Sequence, residues 1–168
     1  MSLDPTRYTS PDDPLPVHAP QCFGCGRTNP CGLKLKAWRD GDTVLATVTF
    51  AEHHSGAPAY AHGGAVATAI DDCLGYLLYI AQEPAVTAKL EVNYRQPVLL
   101  DIEYRLRAWI EGREGRKIYT RIEMRDPEDR IAADGTGLFV TVALEHFTKD
   151  LPADWRRKAE EFGLELPW

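Results

Sequence analysis

Residues 65–81 read AVATAIDDCLGYLLYIA. Together with the flanking Gly63-Gly64 and Gln82 they form the long helical stretch of the chain, and they are apolar on nearly every side. A helix of that composition is expected to be buried all round rather than laid on a surface. Two aspartates interrupt it. By the i±3 and i±4 rule Asp71 shares its face with Ala67, Leu74 and Leu78, while Asp72 neighbours Thr68, Tyr76 and Tyr79. On this reading Asp71 is the more anomalous of the pair. A carboxylate on an apolar face costs several kcal/mol unless it is paired, and its pKa is pushed upward. That environment suits a general base or nucleophile, although a structural aspartate satisfying a nearby hydroxyl or backbone amide has the same sequence signature.

Outward from this helix the chain reads as sheet. Alternating patterns mark strands at 33–38 and 43–50, joined by the turn Asp40-Gly41-Asp42. After the helix, strands run at about 86–95, 101–111, 116–125 and 130–144, with turn chemistry at Glu111 to Gly115 and Asp126 to Asp129. The clearest alternation sets Ile102, Tyr104, Leu106, Ala108 and Ile110 against Asp101, Glu103, Arg105 and Arg107. Two strands, one apolar helix and a four-stranded meander define an α+β fold whose antiparallel sheet wraps the helix. Residues 1–20 hold five prolines and read as an extended arm with little to bury, followed by a body at 21–148 and a tail at 149–168. Trp155, Ala159 and Phe162 stand at helical spacing in that tail, with Asp154 as N-cap.

Composition narrows the function classes. The 168 residues fit one domain, with 44% hydrophobic and 26% charged residues. The net charge of -6 leaves no basic surface for nucleic acid. The apolar run from Leu74 to Ala81 is short of the ~18 residues of a membrane span, and the first twenty residues have no apolar signal core, so no membrane partner and a cytoplasmic location are expected. Reduced thiols follow for Cys22, Cys25, Cys31 and Cys73. Cys22-x2-Cys25 with Cys31 is half of a zinc pattern that His18 or His54 could extend, but no second CxxC or HxxxH pair follows, and the expectation is no metal and no cofactor.

Ahead of the helix stands Ala61-His62-Gly63-Gly64. Unpaired amides at a helix start carry the positive end of its dipole and can hold a carbonyl oxygen that becomes negative during reaction. Asp71 follows His62 by nine residues, and Thr87 follows Asp71 by sixteen within Ala85-Val86-Thr87-Ala88-Lys89-Leu90-Glu91-Val92-Asn93-Tyr94-Arg95-Gln96-Pro97. With the opening Cys22-Phe23-Gly24-Cys25-Gly26 and the later Glu111-Gly112-Arg113 to Lys117, this order and spacing resembles hotdog-fold acyl-CoA thioesterases, in the branch of PaaI-like and thioesterase superfamily member 4-like proteins. The resemblance runs from about Cys22 to Phe147.

The resemblance implies a hotdog fold, a homodimer with further pairing into a tetramer left open, and hydrolysis of the thioester in a fatty or aromatic acyl-CoA. By position it implies that Asp71 is base or nucleophile, Thr87 a hydroxyl that positions water, Gly63 the oxyanion amide, and His62 with Gly64 the loop that sets it. In one respect the chain departs from the pattern: some relatives carry asparagine or glutamine six residues before the histidine, where Gly56 stands here. Arg95, Arg113, Arg116 and Lys117 are the candidates for the nucleotide phosphates. A non-catalytic acyl-CoA binder on the same fold is the competing reading, and it gives no reason to bury Asp71. The spacing carries one argument of its own. Eight residues separate Gly63 from Asp71, so on one helix they lie about 12 Å apart along the axis and roughly 80° apart around it. One carbonyl cannot touch both, and a shared site therefore requires a second helix, most simply from a two-fold partner.

Overall fold

The computed structural model describes residues 7–147, 149–150, 152, 154 and 157. In chain order the elements are β1 (Lys36–Asp40), β2 (Thr43–Thr49), β3 (Ser55–Ala57), β4 (Tyr60–Ala61), α1 (Gly63–Ala81), β5 (Ala85–Tyr94), β6 (Glu103–Glu114), β7 (Lys117–Arg125) and β8 (Ile131–Thr141). Six strands form one antiparallel sheet in the order β1-β2-β6-β7-β8-β5, and β3 pairs with β4 in a small separate hairpin. The sequence showed only a loop at that hairpin, because strands of three and two residues are too short to carry a period.

Alternation decides which face of the sheet meets the helix. Val44, Ala46 and Val48 of β2, Tyr104, Leu106 and Ala108 of β6, and Ile118, Ile122 and Met124 of β7 are buried. Against them α1 sets Val66, Ala69, Ile70, Cys73, Leu74 and Leu77. Each large aliphatic side chain buried this way contributes about 1.5–3 kcal/mol relative to exposure. Gly41 takes φ +60 in the β1–β2 turn, a backbone that glycine adopts without strain.

Three expectations are corrected. Strand β5 does not begin a meander, because it pairs with β8 at the far edge, with Thr87 opposite Phe139 and Tyr94 opposite Ala133. The connector 95–102 is too long for a tight hairpin and carries the chain past β4 and β2, where Ala61 N–H bonds to Val98 O and Asp101 N–H to Phe50 O. It thereby delivers β6 to β2. Second, α1 is not buried all round. Eleven of its nineteen residues are buried, while Gly63 and Gly64 are exposed and Ala67, Thr68, Asp71 and Gly75 are half-buried along one stripe. A single sheet covers one side of a helix, and the small residues lie on the side it leaves. By length and composition this helix could cross a membrane, yet here it is the core helix of a wrapped sheet.

Third, the proline-rich arm is fastened. Leu15 is buried, its N–H donates to Ala37 O at 2.7 Å, and Arg39 N–H donates to Tyr8 O at 2.6 Å, so the arm lies along β1. Prolines keep such a segment extended, which suits it to run beside an edge strand. The helix expected over Trp155, Ala159 and Phe162 lies outside the described residues.

Candidate active site at the helix start

The chain enters α1 through His62, whose φ of -63 and ψ of 136 are extended. Its N–H donates to His54 O at 2.8 Å, which ties the turn to the preceding loop. The imidazole Nδ1 then accepts from Gly64 N–H at 2.9 Å, and the His62 carbonyl accepts from Ala65 N–H at 2.9 Å and Val66 N–H at 3.1 Å. A helix start leaves four amides without intrahelical partners unless something caps them. Here three are used. Among the described residues only the Gly63 N–H is left without an acceptor, at the positive end of a nineteen-residue helix. Beside it lies a cleft of about 430 Å³, lined by Tyr60, Ala61, Gly63, Val66, Tyr94 and Val98 among others. The Tyr94 hydroxyl donates to Gly63 O at 2.8 Å and holds the first helical peptide from the sheet side.

Gly56 has a local explanation. A Cβ at this position would lie 2.8 Å from His62 Cα and 3.2 Å from its Cβ. No asparagine or glutamine fits there while His62 keeps its capping position. The β3–β4 pairing brings the two residues together, with Ser55 opposite Ala61.

Asp71 and Thr87, paired in function only by the family resemblance, meet within the chain. The threonine hydroxyl donates to Asp71 Oδ1 at 3.1 Å. Strand parity alone would group Thr87 with the solvated Lys89 and Glu91, but the β5–β8 register shifts between Thr87 and Lys89. A bulge of this kind re-aims a side chain, and it breaks the parity on which the sequence reading relied. Burial raises the Asp71 pKa above the usual carboxylate value, while the Thr87 hydrogen bond acts in the opposite direction.

The ranking of the two aspartates reverses. Asp72 is the buried one, with a side chain only 7% exposed, and burial raises its pKa against the pull of His18. Its His18 partner is 54 positions away in sequence, which is why helical-face arguments placed the anomaly on Asp71. Cys73 is fully enclosed, and burial pushes its thiol well up, away from reactivity.

The four basic candidates do not form one patch within the chain. Arg95 pairs with Asp134, with Nε at 2.5 Å from Oδ2. Arg113 makes two bonds to Glu83, at 2.7 and 2.6 Å, and Lys117 lies 4.0 Å from Glu114. Arg95 N–H bonds to Ala132 O at the end of β8 where Met124 pairs with Ala133, whereas Arg116 and Lys117 sit at the opposite end of β7. The intervening residues of β7 span about 25 Å at ~3.3 Å each. Sequence proximity brought Arg113, Arg116 and Lys117 together, and the strand then carried them away from Arg95.

Tyr94 is the site residue that the sequence did not single out. It occupies an outward strand position, and nothing local links it to the helix start.

A long helix wrapped by a six-stranded antiparallel sheet, with a glycine amide free at the helix start and an aspartate two turns on, is the hotdog arrangement. Residues 59–133 match the Thioesterase superfamily, and the fold is the hotdog fold. Over 86 residues it is 33% identical to the acyl-coenzyme A thioesterase THEM4 of Xenopus laevis, an alignment covering 51% of this chain and 39% of that protein. The chain thus spans well under two thirds of this relative's length. Among solved structures, a thioesterase superfamily protein is 27% identical with a TM-score of 0.67, over 73% of this chain and 60% of the other. The fold recurs at 19% identity and a TM-score of 0.61 in a hypothetical thioesterase of Streptococcus pneumoniae solved with coenzyme A, over 65% of this chain and 89% of that one. That protein has also been solved with an aspartate and, separately, a threonine changed to alanine. The PaaI protein of E. coli shares the fold at 15% identity and a TM-score of 0.62, over 66% of this chain and 81% of its own.

Proposed function

We propose that the chain hydrolyses acyl-CoA thioesters in the cytoplasm, as a homodimer in which each active site takes Gly63 from one subunit and Asp71 from the other. The observation that carries this reading is the Gly63 amide, the one donor at the helix start left without an acceptor among the described residues. The names of the relatives, an acyl-coenzyme A thioesterase and a hypothetical thioesterase solved with coenzyme A, support the substrate class. The Streptococcus protein was altered at an aspartate and a threonine as far apart in sequence as Asp71 and Thr87, which supports the choice of these two residues.

In the reaction the thioester oxygen accepts from Gly63 N–H, so negative charge developing there meets a preorganised donor. Asp71 of the facing subunit takes the proton of a water attacking the carbonyl carbon, or attacks through its own oxygen to form an acyl anhydride that water then hydrolyses to the free acid. On either route the carbon–sulfur bond breaks, and coenzyme A departs as a thiolate. Thr87 occupies one oxygen of Asp71 and fixes the carboxylate's rotation, while His62 and Gly64 hold the amide in place. Arg95, which lines the cleft beside Gly63, is assigned to the phosphates, and its substitution should raise KM more than it lowers kcat.

The test is a panel of fatty and aromatic acyl-CoA esters, with released thiol as the readout. Asp71→Asn keeps volume and loses the basic oxygen, so kcat should fall by about 10² to 10⁴ while binding persists. Binding of acyl-CoA without any turnover by the unaltered protein would establish the binder instead.

A further inference from the structure

The segment 14–35 contains no helix or strand, yet Leu15, Cys25, Leu33 and Leu35 within it are buried. Irregular runs of more than about 12–15 residues are uncommon inside a compact domain unless something fastens them. What lies at the centre of this one is a set of four side chains from three places: His18, Cys22, Cys25 and, from α1, Asp72. We propose that these four residues bind one zinc ion, which staples the amino-terminal segment to the core helix.

The argument is geometric. One ligand atom from each residue lies within 4.8 Å of all the others. His18 Nδ1 stands 3.0 Å from Asp72 Oδ1, Cys22 Sγ 3.3 Å from that same oxygen, and Cys25 Sγ 3.5 Å from His18 Nδ1. Tetrahedral zinc with bonds of about 2.0–2.3 Å spaces its ligands about 3.2–3.8 Å apart, so the four groups already approach the edges of one tetrahedron. The donor set is also selective. Two thiolates and an imidazole favour zinc over magnesium or calcium, and a carboxylate completes four protein ligands with no position left for water, as in a structural site.

The surroundings fit an ion. Asp72 Oδ2, on the carboxylate that would hold the ion, is buried without a hydrogen-bond partner among the described residues. Such groups are costly to enclose unless something compensates them. The backbone N–H of His18 donates to Cys25 Sγ at 3.3 Å, an outer contact that suits a sulfur carrying negative charge. The imidazole is stacked on Tyr76 with ring centroids 4.1 Å apart, so its orientation is fixed. A Cβ at Gly24 would lie 2.2 Å from Asp72 Cγ, and only glycine lets the Cys-x2-Cys loop close over that carboxylate. The sequence expectation of metal-free thiols rested on the lack of a second ligand pair. The fourth ligand instead comes from the helix, and no local spacing reveals it.

The proposal is independent of the catalytic reading, since it concerns Asp72 and the amino-terminal segment. Full-length protein purified under reducing conditions without chelator should carry about one zinc per chain by elemental analysis. Exchange into cobalt should give the intense visible bands of a tetrahedral site together with thiolate-to-metal charge transfer. Cys25→Ser and Asp72→Asn should each bind metal at least tenfold more weakly, while Cys31→Ser, altered at an exposed cysteine outside the cluster, should retain both zinc and spectrum. Should Cys25→Ser fail to fold, the cobalt spectrum of the unaltered chain and the Cys31→Ser comparison still decide. Substoichiometric zinc with no cobalt spectrum, or a spectrum that Cys31→Ser loses and Asp72→Asn keeps, overturns the assignment.

Discussion

Thr87 and Gly56 show how much of the candidate site hangs on single atoms. The Thr87 hydroxyl is one hydrogen bond to a carboxylate, worth about 1.5–3 kcal/mol where the acceptor is charged, and only part of that is felt in a transition state. Thr87→Ala should therefore lower kcat by about tenfold, a smaller loss than for Asp71→Asn, with KM little changed in the same thiol-release assay. A loss equal to that of Asp71→Asn would mean that Thr87 touches the reacting water itself. Gly56→Asn tests the packing explanation for the missing amide side chain. The new Cβ would press on His62 Cα, so the variant should unfold at lower temperature, by about 1–3 kcal/mol, rather than gain activity. Asp71, Gly63 and His62 were legible in the sequence because one helix start and one apolar helix carry them all. Tyr94 and the deeper burial of Asp72 were not, since each depends on a partner that tertiary structure supplies from 31 and 54 positions away.

Elements were legible where a period was long enough to read. The alternation in β6 and the apolar run of α1 each fixed an element, whereas the place of β5 in the sheet depended on which strand edge the 95–102 connector could reach. The contact between α1 and the sheet sets the stability of the whole. Leu74 is fully buried in α1, and its Cδ1 would lie 3.0 Å from a Cβ placed on Gly137 of β8, so helix and sheet leave no slack there. Leu74→Ala should cost about 2–5 kcal/mol in denaturant unfolding, because a seam this tight cannot collapse to fill the gap. At the other edge, Asp134 ties β8 to β5. The Arg95 guanidinium, aided by Asn93, holds its carboxyl below the usual carboxylate range. A depressed folded pKa contributes stability that is fully present above the unfolded value of about 3.9 and is lost as pH falls through the folded one. Asp134→Asn should accordingly lower Tm at neutral pH, and the difference from the unaltered protein should shrink as the pH falls below the unfolded value and vanish once it is below the folded one. A difference that persists in acid would assign the effect to packing rather than charge.

At the scale of the molecule, the proposed site calls for a second chain. Gly63 and Asp71 sit about 12 Å apart along one rigid helix, and a thioester carbonyl cannot reach across that distance to both. The half-buried stripe of Ala67, Thr68, Asp71 and Gly75 leaves a side of α1 on which another helix could bring its own Asp71 to this Gly63. Two variants separate the halves of the site. Gly63→Pro removes the amide hydrogen in a backbone the chain accepts, because proline is tolerated at the first helical position, His62 already has the extended backbone that a following proline requires, and a Cβ there meets the Tyr94 hydroxyl at an ordinary 3.4 Å. Asp71→Asn removes only the base or nucleophile. Each homodimer should be nearly inactive, since each of its two sites lacks one component. After subunit exchange at equal concentrations, half of the dimers are mixed, and each mixed dimer regains one intact site beside one doubly altered site. Activity should then return to roughly a quarter of the unaltered level, as two-fold symmetry dictates. Recovery depends on the two residues acting from different chains. If confirmed exchange restores nothing, each chain completes its own site and α1 must bend or the substrate must bridge it. If Gly63→Pro alone stays active, the oxyanion donor is another amide of the same turn.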